Sequence, residues 1–375
     1  MQKKLQPLTT FLQKHFELHL SRTNCLCRFI IALIQTKTIN IVTISNAFIS
    51  DAKPESCYKR LQRFLAKVSF DQRKLARTII SIIGLEEKDK WTLALDRTNW
   101  KFGILHINIL YLAVCYKGVA FPIFFILLED KKQGNSDFID RVDLVDIFID
   151  TFGVEKIEAL LGDREFIGKD WIEYLKAKKI PYVMRVKENG QLMIDHRGRK
   201  RKIAKILRFL LQKQSVYLGI KKIGAKELET PISALRNERG DLVVLIHSEE
   251  IKNPIRLYSK RWQIETMFKA FKKNGFNLED THVTDPDRIM TLLSILSIAF
   301  VVVYKQGIIQ IVETPKLLKR KKHGYFAKSI FRIGADYMQH LLLQIYQFGN
   351  EIRRWFQRIL KPDKTFAIKG LEVAA

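Results

Sequence analysis

Cysteine is scarce. The 375 residues contain four, Cys25, Cys27, Cys57 and Cys115. So few, clustered towards one end, cannot build a disulfide framework, and a reducing cytoplasm is expected. Neither Cys25-x-Cys27 nor the histidines have zinc-site spacing. His106, His247 and His282 are therefore expected to be structural, although His282 lies in a stretch that could approach a site. No GxxxxGK[ST] or GxGxxG loop is present, so no nucleotide-driven motor is indicated. The opening MQKKLQPLTT has no continuous apolar run, and no signal peptide is expected. Internal repeats and low-complexity tracts are also missing. One run, Ile289 to Tyr304, is uncharged, but it falls short of the roughly 20 residues a membrane span needs. Asp287 and Arg288 bound it on one side and Lys305 on the other, so a buried core helix and no membrane partner are expected.

What is abundant is positive charge. Lys and Arg number 65 against 39 Asp and Glu, a net +26. Residues 1–85 carry +10, residues 185–226 carry +11 and residues 305–375 carry +9, which leaves −4 for the rest. A near-neutral body with three basic regions points to a polyanion partner, nucleic acid first. Hydrophobic residues make up 47% and charged residues 28%, enough for a packed core and against wholesale disorder.

Residues 1–85 carry helical periodicity in LTTFLQKHFELHL and CLCRFIIALIQ. Two further short helices are expected at Ser45–Phe48 and Ser56–Val68. In the second, Lys59, Arg60, Arg63 and Lys67 accompany Tyr58, Leu61, Phe64 and Leu65. A basic amphipathic helix after a short turn fits a helix-turn-helix type of DNA binder, or else an ordinary surface helix. From Trp91 the period changes to that of strands: TLALD, ILHINILYLAVCYK and GVAFPIFFILLE, with a turn at Tyr116–Gly118. A helix over 135–152 follows, with Asn135 or Ser136 as its cap and Gly153 as its stop. Strand KIEALLGD, a helix over 168–179 and strand IPYVMRV complete a β-β-β-α-β-α-β order. That order predicts a mixed α/β sheet, with antiparallel strands leading into parallel crossovers. Residues 190–250 interrupt it with the basic run HRGRKRK (from His196) and the strand-like VYLGIKKI and DLVVLIH, a β-rich insertion. One long helix is expected from Ile255 to near Gly275, then the core helix and a basic tail. The expected regions are thus 1–85, a body of 86–189 with 251–304, the insertion 190–250, and 305–375.

Asp96 in LALDRT and Asp163 in LLGDREF each end an apolar strand, where α/β sheets bind ligands. A strand-end Asp is also a common turn former. A third carboxylate lies in YSKRWQIETMFKAFK. There Tyr258, Arg261, Glu265 and Lys272 fall within an arc of roughly 60° on a helix. Such a stripe suits an anionic group beside a metal, and equally a solvated face with i,i+4 pairing. Three carboxylates together could hold two Mg²⁺ about 3.5–4 Å apart for phosphodiester cleavage. Neighbouring Arg and Lys would hold phosphates, and Thr98 and Asn99 could contact a phosphate or orient a ligand.

The pattern Tyr258-x2-Arg261-x3-Glu265-x6-Lys272 resembles the Tyr-Arg-Glu-Lys signature of bacterial insertion-sequence transposases, family four, with a DDE catalytic domain. ALDRTNW, LLGDREF, GFNLEDTHVTDPDRI and HGYFAKSIFRIG are similar to that family too. The resemblance implies a ribonuclease-H-like mixed-sheet core with a β-rich insertion, a helical N-terminal DNA-binding domain and a helical C-terminal region. It implies Asp96, Asp163 and Glu265 as catalytic metal ligands for two Mg²⁺, with Mn²⁺ as a substitute. Tyr258, Arg261 and Lys272 would contact DNA, as would Lys59, Arg60 and Arg63 at the N-terminal end. The implied activity is cut-and-paste movement of the chain's own insertion sequence, by cleavage and strand transfer at terminal inverted repeats. The partners would be double-stranded DNA, both element ends and target, and a second copy forming a homodimer on DNA. The setting would be the bacterial cytoplasm, at the nucleoid. Some members hold a flipped base against an aromatic side chain of the insertion; here the insertion contains no tryptophan, and Phe209 and Tyr217 are its aromatics. Two alternatives stay open: a nuclease of the same core without strand transfer, and a non-catalytic sequence-specific DNA-binding protein.

Overall fold

The computed structural model describes residues 2–85, 90–128, 136–190, 192–195, 197–224, 226–273, 275–322, 326–343 and 349–360. Five helices open the chain: α1 (Gln2–Phe16), α2 (Leu20–Thr36), α3 (Ile41–Asn46), α4 (Pro54–Lys67) and α5 (Gln72–Ile83). The expected short helix at 45–48 begins earlier, because the Asn40 side chain accepts from the Val42 and Thr43 backbone and starts α3 there. Strands β1 (Trp91–Phe102), β2 (Leu105–Tyr116) and β3 (Val119–Leu128) form an antiparallel meander. Helix α6 (Phe138–Phe152), strand β4 (Ile157–Gly162), helix α7 (Lys169–Ala177) and strand β5 (Tyr182–Val186) follow, with β1, β4 and β5 parallel. The cap of α6 is Asp137, whose carboxylate accepts from Asp140 N while Asp140 returns the bond. Ser136 instead binds Arg141, and Asn135 lies outside the described residues.

The insertion does not stand apart from this sheet. It contributes β6 (Leu192–Ile194), β7 (Lys200–Lys202), the short α8 (Ile203–Ile206), β8 (Ser215–Ile223), β9 (Leu228–Arg236) and β10 (Leu242–His247). Strand β10 pairs antiparallel with β5, giving one ten-stranded sheet in the order β3-β2-β1-β4-β5-β10-β9-β8-β6-β7. The sequence reading missed β9 because Pro231 and the isolated Glu229 break its apolar pattern. In the sheet, Pro231 sits opposite Ile220 beside the irregularity at Tyr217 and Gly219. His196, at the head of the basic run, lies outside the described residues.

Beyond the sheet come α9 (Pro254–Ser259), α10 (Trp262–Phe271), α11 (Pro286–Glu313), α12 (Ile330–Leu343) and α13 (Gly349–Ile359). The single long helix expected after Ile255 is therefore two. Lys260 N bonds Leu257 O and Arg261 N bonds Tyr258 O, i→i+3 contacts that tighten and turn the chain between α9 and α10. Helix α11 is long and apolar enough to cross a bilayer, but its apolar window is wholly buried in the fold. It packs against α2, α4, α5, β3 and α12. Its crossing with α12 is close: a Cβ on Gly334 would lie 2.0 Å from the Val303 carbonyl oxygen. One apolar core runs from Leu5 and Leu33 through the sheet to α11 and α13. A smaller cluster, Ala159, Leu161, Val183 and Leu245, is covered by Ile255, Leu257 and Tyr258. That packing brings α9 over β4, β5 and β10.

Candidate active site

The parallel register of β1 and β4 places Leu95 opposite Gly162. The next residue on each strand is an aspartate, so Asp96 and Asp163 come side by side. The strand end is tightly packed there: a Cβ on Gly162 would meet Met184 Sδ at 2.5 Å and Phe166 Cβ at 3.0 Å. Contrary to expectation, Asp96 does not end its strand. Strand β1 runs on to Phe102 because β2 keeps pairing, from Asp96↔Tyr111 to Phe102↔Leu105. Only the parallel partner stops.

Helix α10 delivers the third carboxylate. Ile264, Met267 and Phe271 are buried, and Phe271 meets Tyr111 edge-on with centroids 6.0 Å apart. This anchors α10 over the meander and turns Glu265 towards β1. Arg261, at the junction between α9 and α10, joins the two. Its Nη1 donates to Asp96 Oδ2 at 3.1 Å and its Nη2 to Glu265 Oε1 at 2.7 Å. Tyr258 donates to Asp163 Oδ1 at 3.4 Å. The side chains of Asp96, Glu265 and Asp163 are 17%, 28% and 36% exposed, so the site opens to solvent towards Asp163.

Burial pushes the Asp96 carboxyl up to about 6, with Arg261 and the Arg97 N–H opposing and Glu165 and Asp163 adding to it. Burial raises Tyr258 to about 12, so it is a neutral donor. For Arg261 burial works against the charge, but the carboxylates of Asp96, Glu265 and Asp163 outweigh it and hold the guanidinium firmly protonated. Its Nε–H is buried without a hydrogen-bond partner.

Lys272 is the C-cap of α10. It donates to the Asn99 carbonyl at 2.9 Å and pairs with Glu279 at 3.0 Å. Together with Glu265, Thr98, Lys269 and Lys273 it lines an open groove of about 390 Å³. Lys59, Arg60 and Arg63 lie instead on α4, which packs against α2, α3 and α11. His282 stacks on Phe102 (5.0 Å), and His247 is held between Ser233 and the Ser248 carbonyl. Sequence reasoning passed over Arg97 and Glu165. Arg97 Nε donates to Glu165 Oε2 at 2.7 Å, and Arg141 donates to the Glu165 carbonyl at 3.1 Å. Arg97 directly follows Asp96 and Glu165 lies two residues after Asp163, and that closeness in sequence was the available signal. Exposed Trp262, with Lys269 4.9 Å from its ring centre, was also missed.

Among the described residues no three His, Cys, Asp or Glu side chains form a ready metal cage. The donor set is nevertheless all oxygen, which suits a hard divalent ion. Two of its members already converge on one cation, the Arg261 guanidinium. Asp96, Asp163 and Glu265 thus offer donors of the right chemistry on β1, β4 and α10, but Arg261 lies between two of them and the three are not gathered around one point.

No curated protein matches the chain. Among solved structures, the piggyBac transposase synaptic complex with hairpin DNA, determined by cryo-EM, is 11% identical. The match covers 92% of this chain and 77% of that one at a TM-score of 0.42, too remote to bear on the chemistry. The family model described as the transposase DDE domain matches residues 88–302, which span all three carboxylates and the insertion. The chain belongs to the transposases with a DDE domain.

Proposed function

We propose that this transposase is a family-four insertion-sequence enzyme with a ribonuclease-H-like core and the Tyr-Arg-Glu-Lys signature at Tyr258, Arg261, Glu265 and Lys272. It cuts its own element out at terminal inverted repeats and joins it to target DNA, acting as a homodimer on DNA in the bacterial cytoplasm. Asp96, Asp163 and Glu265 are the catalytic carboxylates. The observation that carries this reading is the bridge from Asp96 through Arg261 to Glu265, beside Asp163 on the adjacent strand.

Transposases of this family use divalent metal ions, and the three carboxylates would hold two Mg²⁺, or Mn²⁺ in their place. Bound there, the ions would supply an activated water or 3′-hydroxyl and a stabilised leaving oxygen. The protein's own part is to hold the strand. Arg261, set between Asp96 and Glu265, would place its charge beside a phosphate at the cut. Tyr258 donates a neutral hydroxyl at the exposed Asp163 side, and Lys272 adds a point charge along the groove beside Glu265.

The test uses purified protein, Mg²⁺ and labelled DNA carrying the inverted repeats that flank the coding region. Nicking at the repeat's outer edge followed by joining to a second duplex is expected. Cleavage without joining would make the protein a plain nuclease, and uncut DNA would leave only a binder.

A further inference from the structure

The cations of the N-terminal helices are arranged differently from those around the carboxylates. Arg22 and Arg28 on α2 and Arg60, Arg63 and Lys67 on α4 line one open groove of about 590 Å³. No carboxylate is among its lining residues, which are completed by Ser21, Asn24, Cys25, Phe64 and Val68. Among the described residues none of the five cations is ion-paired; Arg28 donates to the Ile49 carbonyl and Arg63 to the Lys59 carbonyl of its own helix. The first turn of α2, which holds Ser21 and Arg22, has no acidic residue to offset the positive end of the helix. Five like charges with no counter-charge repel one another, and the fold retains them through the buried packing of Leu26, Phe29, Leu61 and Phe64.

We infer that the α2–α4 groove is a clamp for the sugar-phosphate backbone of duplex DNA. This rests on the transposase reading above and specifies where the duplex is gripped away from the cut. Four of the five cations are arginines, whose forks match phosphate oxygens. Binding of a single strand relies on exposed aromatic faces for base stacking. The one aromatic in the lining, Phe64, is 5% exposed, so the groove can hold a backbone but offers no base platform. Helix α4 then acts as one wall of a phosphate clamp whose other wall is α2, and Arg60 and Arg63 carry no sequence information. A recognition helix working alone would not need Arg22.

The experiment measures binding of the full chain, without divalent metal, to a labelled duplex, to a second duplex of unrelated sequence and to the matching single strand across a salt series. Arg22 and Arg63 are exposed, so the R22Q/R63Q double variant should melt like the parent. Each lost phosphate contact should lower the slope of log K against log salt by about 0.9, so the double variant should lose about 1.8, equally on both duplexes. R22Q alone should lose about 0.9. An unchanged slope in R22Q would overturn the clamp, as would a loss confined to one duplex sequence or an equal loss on single strands. None of these readouts involves cleavage. Mg²⁺-dependent cutting with an unchanged R22Q slope would sink the clamp and leave the transposase, and the reverse result would do the opposite.

Discussion

Around the carboxylates, several cations meet acids: Arg261 with Asp96 and Glu265, Arg97 with Glu165, Lys260 with Glu158 and Lys272 with Glu279. In the α2–α4 groove five cations line one opening with no acid in the lining. The two regions use the same side chains for different purposes. A paired cation is held at a fixed place, and much of its charge is spent on its partner. An unpaired cation keeps its charge for a ligand, and the fold bears the repulsion. Net charge alone would not separate the two uses.

The largest effect that could break this comparison is at the paired site. Asp96→Ala, Asp163→Ala or Glu265→Ala should each lower strand cleavage by at least about 10³-fold, as removal of a member of a catalytic group does, while salt-dependent duplex binding persists. Residual cleavage near the parent rate in a gel assay would show that the carboxylates are a structural cluster. Next comes the strut behind them. Glu165→Gln leaves Arg97 without its counter-charge and should cost about 10–100-fold in activity, the scale of lost outer-shell partners. The measurement is the Mg²⁺ dependence of cleavage: a strut that positions ligands raises the metal requirement, whereas a purely structural loss leaves it unchanged and lowers only the melting temperature.

On the unpaired side, adding an acid should convert the groove into a paired site. Ser21→Asp places a carboxylate in the first turn of α2 and should add about 0.3–1 kcal/mol of stability while weakening duplex binding several-fold. If stability rises with no loss of DNA affinity, the groove charge is not reserved for phosphate. The smallest effect belongs to pairing without charge. Burial lowers the His247 pKa from 6.5, and its neutral ring is held between Ser233 Oγ and the Ser248 carbonyl. A depressed folded value means that stability is present above the ordinary imidazole range and is lost as pH falls through it. Melting should therefore shift down slightly between pH 7.5 and 5, and His247→Gln should remove that part of the dependence.

Much of the fold was legible in the sequence. The strands 91–128, the hairpin at Lys117–Gly118, the crossovers and the buried helix 289–304 follow from periodicity, which is local. Helix breaks and strand ends were less legible because they depend on partners. Asp96 lies inside a strand because β2 continues to pair with it. The helix through Arg261 turns because Tyr258 packs over β4 and β5 while Phe271 packs on Tyr111. The sheet extension through β10 depends on pairing with β5, which no local pattern encodes.

The sequence alone determined which residue types are present at which spacing, and therefore the candidate carboxylates, the basic blocks and the resemblance they carry. Only the tertiary structure decided which charges meet. Arg261 is four residues from Glu265 but 165 from Asp96, and it binds both. Arg22 and Arg63 line one groove because α2 and α4 pack together through the core. Coulomb interactions depend on distance in space, and separation along the chain does not fix that distance until the chain has folded.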